Sequence, residues 1–256
     1  MLSVRVVKLG GRALERPDWL AACARALVTA GHVVVVHGGG PAVSALSRRL
    51  GLPVEQREGL RVTSPEVAEV VEMVLAGPTN RRVVAALRAA GLDALGLSGV
   101  DGGLLAARPA PGGLGHVGEI VEVRASLLHS LLLAGLTPVI APIAPGAPGS
   151  EGGPPLNVNA DDAAAAVAGA LCAAELLFVS DVPGVRVEGV VQPSLATGDV
   201  EALIELGAAT DGMAAKLRAA AVALRAGARA VRIGDLHLLD QPAAGTRILA
   251  AAVQPA

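Results

Sequence analysis

Short β-branched runs alternate along this chain with longer Ala-rich amphipathic stretches, and many of those stretches stop at a glycine. Strands that alternate with helical patterns are joined by crossover helices into a parallel sheet, so the fold class is expected to be α/β. A strand is predicted over residues 4–9, a helix over 18–30 that stops at Gly31, and a second strand over 33–36. The second strand runs into His37-Gly38-Gly39-Gly40-Pro41 and a helix reaching about residue 50. Thr63-Ser64-Pro65-Glu66 combines capping-box spacing with a proline suited to a helix start, which predicts a helix over 65–76. More helix follows over 79–90, and past Leu95-Gly96-Leu97 the chain turns Gly-rich without a strand being assigned. Short antiparallel strands over 104–108 and 116–123 read as an insertion or lid, followed by a helix over 125–134, a strand over 138–141 and a loop over 145–155. The second half repeats this alternation, with a strand over 176–180, a hairpin over 185–191, helices over 199–206 and 212–226, and a strand over 230–233. No linker composition marks a sharp boundary, and a soft one is placed at Ala174, giving lobes 1–174 and 175–256.

Composition narrows the function classes. Of the 256 residues 52% are hydrophobic but only 1% aromatic, so the core must be packed with Ala, Val, Leu and Ile, and the stacking platforms of single-strand nucleic-acid binders are missing. A net charge of −2 suggests no nucleic-acid partner and no membrane field. Residues 130–150 carry no charge, yet Pro138, Pro142, Pro145 and Pro148 would break a membrane helix repeatedly. Cys23 and Cys172 both fall in apolar helical patterns and signal neither a disulfide framework nor a zinc cluster. The histidines share no metal-ligand spacing, and His37 and His116 read as hydrogen-bonded structural residues. The N-terminus lacks a signal-peptide stretch, so a cytoplasmic location is expected.

Lysine is the most informative residue. The 21 basic residues include two lysines, Lys8 and Lys216; the rest are arginine. Lysine and arginine are not interchangeable near phosphate, because an ammonium is a compact point charge on a flexible stem. Lys8 ends a strand just before Gly10-Gly11, and Lys216 lies one turn inside a helix that starts near Thr210. Glycine-rich turns after the first two strands let backbone N–H groups approach a ligand, and each precedes a helix start that favours anions. Neither turn is a dinucleotide fingerprint, since Val43 stands where the third glycine belongs, and neither lysine has the context of a P-loop. Ser98 likewise misses the nucleophile-elbow spacing. Two of the three asparagines sit in Leu156-Asn157-Val158-Asn159-Ala160-Asp161, a helix N-terminus suited to polar recognition. Arg61, in Gly59-Leu60-Arg61-Val62-Thr63, is placed to fork a carboxylate.

These residues, together with Gly115-His116-Val117-Gly118, Ser180-Asp181-Val182-Pro183-Gly184-Val185, Asp211-Gly212-Met213-Ala214-Ala215-Lys216 and Gly245-Thr246-Arg247-Ile248, resemble the amino acid kinase family over nearly the full chain. The resemblance is to its branch that phosphorylates N-acetyl-L-glutamate on the side-chain carboxylate with MgATP, in arginine synthesis. It implies an open three-layer αβα sandwich with a central, mainly parallel sheet, an N-terminal lobe holding the amino acid and a C-terminal lobe holding ATP. By the same resemblance Lys8 and Lys216 are the cations on the transferring phosphoryl, and Asp161 orients them. Gly39, Gly40, Arg61 and Asn157 are the acceptor contacts, and Gly10 and Gly11 face phosphate. Asp181, Val182, Pro183, Gly184, Val185 and Arg186, with Ala208, Ala209 and Thr210, are the nucleotide loops. No protein metal ligand is implied, Mg²⁺ being held mainly through the phosphates. Residues 234–244 are shorter than the family's usual helical segment. The long N-terminal helix of the arginine-inhibited hexameric branch has no counterpart before Val4, so a homodimer insensitive to arginine is expected. Two other readings stay open: a sister kinase acting on aminoadipate or glutamate linked to a carrier protein, and a non-catalytic ATP or amino-acid sensor.

Overall fold

A computed structural model describes residues 2–57, 59–146, 154–207 and 209–250. In chain order the first elements are β1 (Val4–Leu9), α1 (Pro17–Leu27), β2 (His32–His37), α2 (Gly40–Arg49), the short hairpin β3 (Gln56–Arg57) and β4 (Leu60–Arg61), α3 (Pro65–Val74) and α4 (Asn80–Ala89). Next come β5 (Ala94–Ser98), β6 (Leu105–Pro109), β7 (Val117–Val123), α5 (Ala125–Leu133), β8 (Thr137–Ala141), β9 (Ile143–Ala144), β10 (Leu156–Val158) and α6 (Ala160–Ala170). The chain continues through β11 (Glu175–Val179), β12 (Arg186–Val187), β13 (Val190–Val191), β14 (Ser194–Ala196), α7 (Val200–Glu205), α8 (Asp211–Arg225), β15 (Val231–Gly234) and β16 (Thr246–Leu249).

The central sheet has eight strands in the order β14-β16-β15-β11-β1-β2-β8-β5, so strands from both halves of the chain share it. Its pairs are parallel except β15 with β16. Alternation along β1 decides which helix covers which side chain. Val4 and Val6 pack with Val34, Val36 and Phe178 under α5, α6 and α8, whereas Val7 and Leu9 pack with Val33 and Val35 under α1 and α4. The α/β expectation and the three-layer arrangement are therefore met. Lys8 follows the same period and falls on the α6 side, in register with Val36 and Phe178.

Small residues let the layers close. A Cβ on Gly169 of α6 would lie 2.5 Å from Ala226 Cβ, a contact that needs backbone rather than side chain at that point. Helix starts are fixed locally: Ser64 Oγ accepts from Val67 N at 3.3 Å to cap α3, and Asn159 Oδ1 accepts from Asp161 N at 2.7 Å to cap α6.

Several expectations are corrected. Residues 94–98 are the edge strand β5, pairing parallel with β8, although Gly96 and the lack of β-branched residues there gave no strand signal. The helix expected after the Gly10-Gly11 turn is α1, reached through a 3₁₀ turn (Ala13–Glu15) and the extended Arg16, which precedes Pro17, at φ −100° and ψ 105°. The antiparallel strands β6 and β7, expected as an insertion or lid, lie outside the central sheet and form with β10 and β9 a second sheet, order β6-β7-β10-β9, that carries Asn157. Cys172 lies past the end of α6, exposed and at φ 45°, rather than inside a helix. Most of the predicted 145–155 loop lies outside the described residues.

The short segment before β16 is a 3₁₀ turn (Leu236–Leu239) tied down by one side chain. Arg232, 8% exposed, donates to Glu175 Oε1 at 2.7 Å, Gln241 O at 2.9 Å and Leu238 O at 3.1 Å. A guanidinium with five donors thus pins this segment to β11 and β15.

Candidate active site

The carboxyl ends of β1, β2 and β11 open side by side, and their loops are stitched in series by backbone hydrogen bonds. Gly38 N donates to Leu9 O at 2.9 Å, Gly10 N to Val179 O at 2.9 Å, and Ser180 N to Gly234 O at 2.8 Å. A crevice outside the carboxyl ends of parallel strands is where α/β sheets bind ligands. Here it is a cleft of about 930 Å³. The two glycine turns touch through backbone: a Cβ on Gly11 would stand 2.9 Å from Gly39 N, and one on Gly38 would stand 3.1 Å from Gly11 N.

One carboxylate between two ammonium groups forms the floor. Lys8 Nζ lies 2.7 Å from Asp161 Oδ1 and Lys216 Nζ 3.5 Å from Asp161 Oδ2. All three side chains are nearly buried, at 7, 7 and 13% exposure for Lys8, Asp161 and Lys216. Lys216 also donates to Gly212 O of its own helix at 3.1 Å. Burial, then the neighbouring Lys8 charge, pull the Lys216 ammonium below the ordinary lysine value, while Asp161 works the other way. Three charged groups with one surplus cation in a half-enclosed cleft are suited to a polyanion.

Across the cleft, Arg61 Nη2 donates to Ser44 Oγ at 2.7 Å and to Gly40 O at 3.0 Å. Its other terminal nitrogen, Nη1, is buried without a hydrogen-bond partner among the described residues. A buried unpaired donor is costly, and an incoming carboxylate would satisfy it. Burial first, and Arg48 second, lower the Arg61 pKa from its usual value. Asn157 Nδ2 donates to Thr63 Oγ1 at 3.2 Å, and that hydroxyl donates to Arg61 O at 2.8 Å, which ties the two polar contacts together.

The cleft therefore brings together Lys8, Asp161, Lys216, Gly39, Gly40, Arg61, Asn157, Gly10 and Gly11, with Asp181 and Val182 at its edge. Among the described residues, the others expected in the nucleotide loops do not line it. Val185 is 1% exposed, its N–H donating to Thr246 Oγ1 at 2.9 Å, and Gly184 packs against Val191 and Thr246. Pro183 and Arg186 flank them on the surface. Ala209 is buried, Thr210 is the exposed residue before α8, and Ala208 lies outside the described residues. Sequence reasoning missed Ser44, which fixes Arg61, and Asn80, whose side chain is 1% exposed. The scarcity of asparagine was the available signal for Asn80.

His37 is a structural histidine with a titration consequence. It is fully buried, and burial lowers its pKa to about 4, against the ordinary 6.5. The unfolded chain binds the extra proton first, so this stability is complete above about pH 6.5 and is lost as pH falls toward 4, by about 3 kcal/mol. Denaturant midpoints measured from pH 7 to pH 4.5 are expected to fall in the wild type and to fall less in His37→Gln.

An acetylglutamate kinase from Chloroflexus aurantiacus is 48% identical over 251 residues, 96% of this chain and 97% of its own. One from Methanopyrus kandleri is 45% identical over 246 residues, covering 91% and 96%. The crystal structure of smu.665 from Streptococcus mutans UA159 superposes with a TM-score of 0.85 at 30% identity, over 97% of this chain and 99% of that one. The family model described as the amino acid kinase family matches residues 3–235, and with that match and these relatives the chain belongs to the amino acid kinase family.

Proposed function

We propose that the chain transfers the γ-phosphoryl of ATP to the side-chain carboxylate of N-acetyl-L-glutamate, giving N-acetyl-L-glutamyl 5-phosphate, a step of arginine biosynthesis. The observation that carries this is the Lys8–Asp161–Lys216 arrangement facing a buried arginine across one cleft. A side-chain carboxylate with a pKa of about 4.3 is already ionised at neutral pH, so the reaction needs no general base. The barrier to be lowered is repulsion between that carboxylate and the phosphates, roughly 4 kcal/mol per charge pair at 4 Å and an effective dielectric near 20.

Each group has a part in this. Arg61 Nη1 and Asn157 fix the acceptor, with Arg61 on the α-carboxylate, so that its side-chain carboxylate points past Gly39 and Gly40 toward Lys8. The oxygen attacks phosphorus in line, the bond to the β,γ-bridging oxygen breaks, and ADP leaves. Lys8 and Lys216 hold the charge that spreads over the transferring phosphoryl, and backbone N–H groups of Gly10 and Gly11 add donors. Asp161 keeps the two ammonium groups together in the free enzyme. The lobe of residues 1–174 holds the acceptor, and the lobe of 175–256 holds ATP through Asp181 to Arg186 and the segment at 208–210.

Among the described residues no cluster of three acidic, histidine or cysteine side chains could cage a metal. That donor set fits an Mg²⁺ carried on the ATP phosphates, where it would neutralise phosphate charge, with Asp161 left to the lysines. The reading includes a cytoplasmic homodimer without arginine inhibition; no described helix is long and apolar enough to cross a membrane.

The direct test is ADP release from MgATP with hydroxylamine present to trap an acyl phosphate as its hydroxamate. Hydroxamate is expected with N-acetylglutamate and not with free glutamate or aminoadipate; no turnover with folded protein overturns the reading. Arg61→Ala is expected to raise the KM for N-acetylglutamate about 10- to 100-fold with a smaller change in kcat, since a contact made equally in ground and transition states acts on binding. Steady-state kinetics with each substrate varied would expose the alternative, a change confined to the KM for ATP.

A further inference from the structure

His37 is the last residue of β2 and stands directly before the glycine turn, yet it does not line the cleft. Its Nδ1 is 3.0 Å from Gly38 O. A carbonyl only accepts, so Nδ1 carries the proton and Nε2 keeps its lone pair. Asn80 Nδ2 then donates to Nε2 at 3.1 Å, and the same amide reaches Val139 O at 2.9 Å and Leu97 O at 3.3 Å. Three acceptors around one nitrogen fix which end of the Asn80 amide faces them. Gly96 makes room on the other side, where a Cβ would overlap Asn80 Oδ1. The first residue of α4 therefore reaches the end of β2, the middle of β8 and the penultimate residue of β5. The turn before α4 presses on the same loop, with Leu75 Cδ2 occupying the space that a Cβ on Gly39 would need.

Burying an imidazole and a carboxamide among valines and leucines gives little net stability compared with apolar side chains of the same shape. What such a network does supply is a single geometry. We infer that His37 and Asn80 are positioning residues: through the Gly38 carbonyl they hold the plane of the Gly38–Gly39 peptide, and so the direction of the Gly39 N–H group at the acceptor. This rests on the kinase reading for what the loop does. The geometry alone says how the loop is held.

The two nitrogens of His37 can be tested separately. In His37→Asn the amide nitrogen takes the place of Nδ1 and keeps the bond to Gly38 O; in His37→Gln the amide reaches the Nε2 position, keeps Asn80 and loses Gly38 O. His37→Asn is expected to hold kcat within about threefold of wild type. His37→Gln is expected to lose about 100-fold in kcat, as a misplaced loop does, with a smaller change in KM. Thermal melting of both variants is measured alongside; kcat losses that follow melting temperature, or equal kcat in the two variants, overturn the proposal. ¹⁵N relaxation of Gly38, Gly39 and Gly40 gives a readout apart from activity. Order parameters near rigid-backbone values, about 0.85, are expected in the wild type and His37→Asn and below about 0.6 in His37→Gln. If the wild type makes no hydroxamate, the kinase reading falls, and the relaxation data still decide whether His37 holds the loop.

Discussion

Lys8→Arg and Lys216→Arg are each expected to lower kcat by about 10²- to 10³-fold in protein that folds and melts like the wild type, the scale seen when one group aimed at transition-state charge is removed. Charge is retained in both variants, so the loss would come from shape. The Lys8 and Lys216 ammonium groups converge on one Asp161 carboxylate at 2.7 and 3.5 Å in nearly closed surroundings. A guanidinium is planar and wider, prefers to fork a carboxylate with two nitrogens, and would turn toward Asp161 rather than the phosphoryl. Because the lysines act mainly on charge that develops during transfer, kcat is expected to fall more than the KM for ATP changes. Steady-state kinetics with circular dichroism melts check this. Near-wild-type turnover in either variant would refute the assignment of that lysine to the phosphoryl.

Asp161→Asn is expected to cost about 10²-fold or more in kcat and also to destabilise the fold by about 3–5 kcal/mol, the range for removing one partner of a buried ion pair. Lys8 and Lys216 would be left as two buried cations with nothing between them. The pH profile carries the sign. Lys216 is already below the ordinary lysine value through burial and Lys8, and Asp161 is what opposes the fall. In the wild type the alkaline limb of kcat/KM is therefore expected below the pH at which an ordinary lysine titrates, about 10.4. In Asp161→Asn it is expected lower still. A limb that stays in place would mean that Lys216 does not titrate as a member of this group.

The parts of the site legible in the sequence were those where one residue type was scarce or glycine had no substitute. Two lysines among many arginines, two asparagines in one hexapeptide and two glycine turns after strands marked the cleft before any coordinate. Strand β5 was not legible, because Ala94-Leu95-Gly96-Leu97-Ser98 has no β-branched residue. Its reasons are tertiary. It is a strand because β8 pairs with it, and Gly96 is there because Asn80 needs the space. Asn80 itself reads as an ordinary polar residue at a helix start, and Ser44 as a solvated face of α2 until Arg61 reaches it from another element.

The sequence by itself determined the α/β class and the residue types gathered at the strand ends, since period, capping and glycine placement are local properties of the chain. Only the tertiary structure decided that Lys8, Asp161 and Lys216 meet at one point, that Arg61 across the cleft has a donor without a partner among the described residues, and that Arg232 holds the short segment before β16. The two ion pairs join residues 153 and 55 positions apart, and no local pattern encodes a distance between them: it is set by how the Ala-rich layers pack across the sheet.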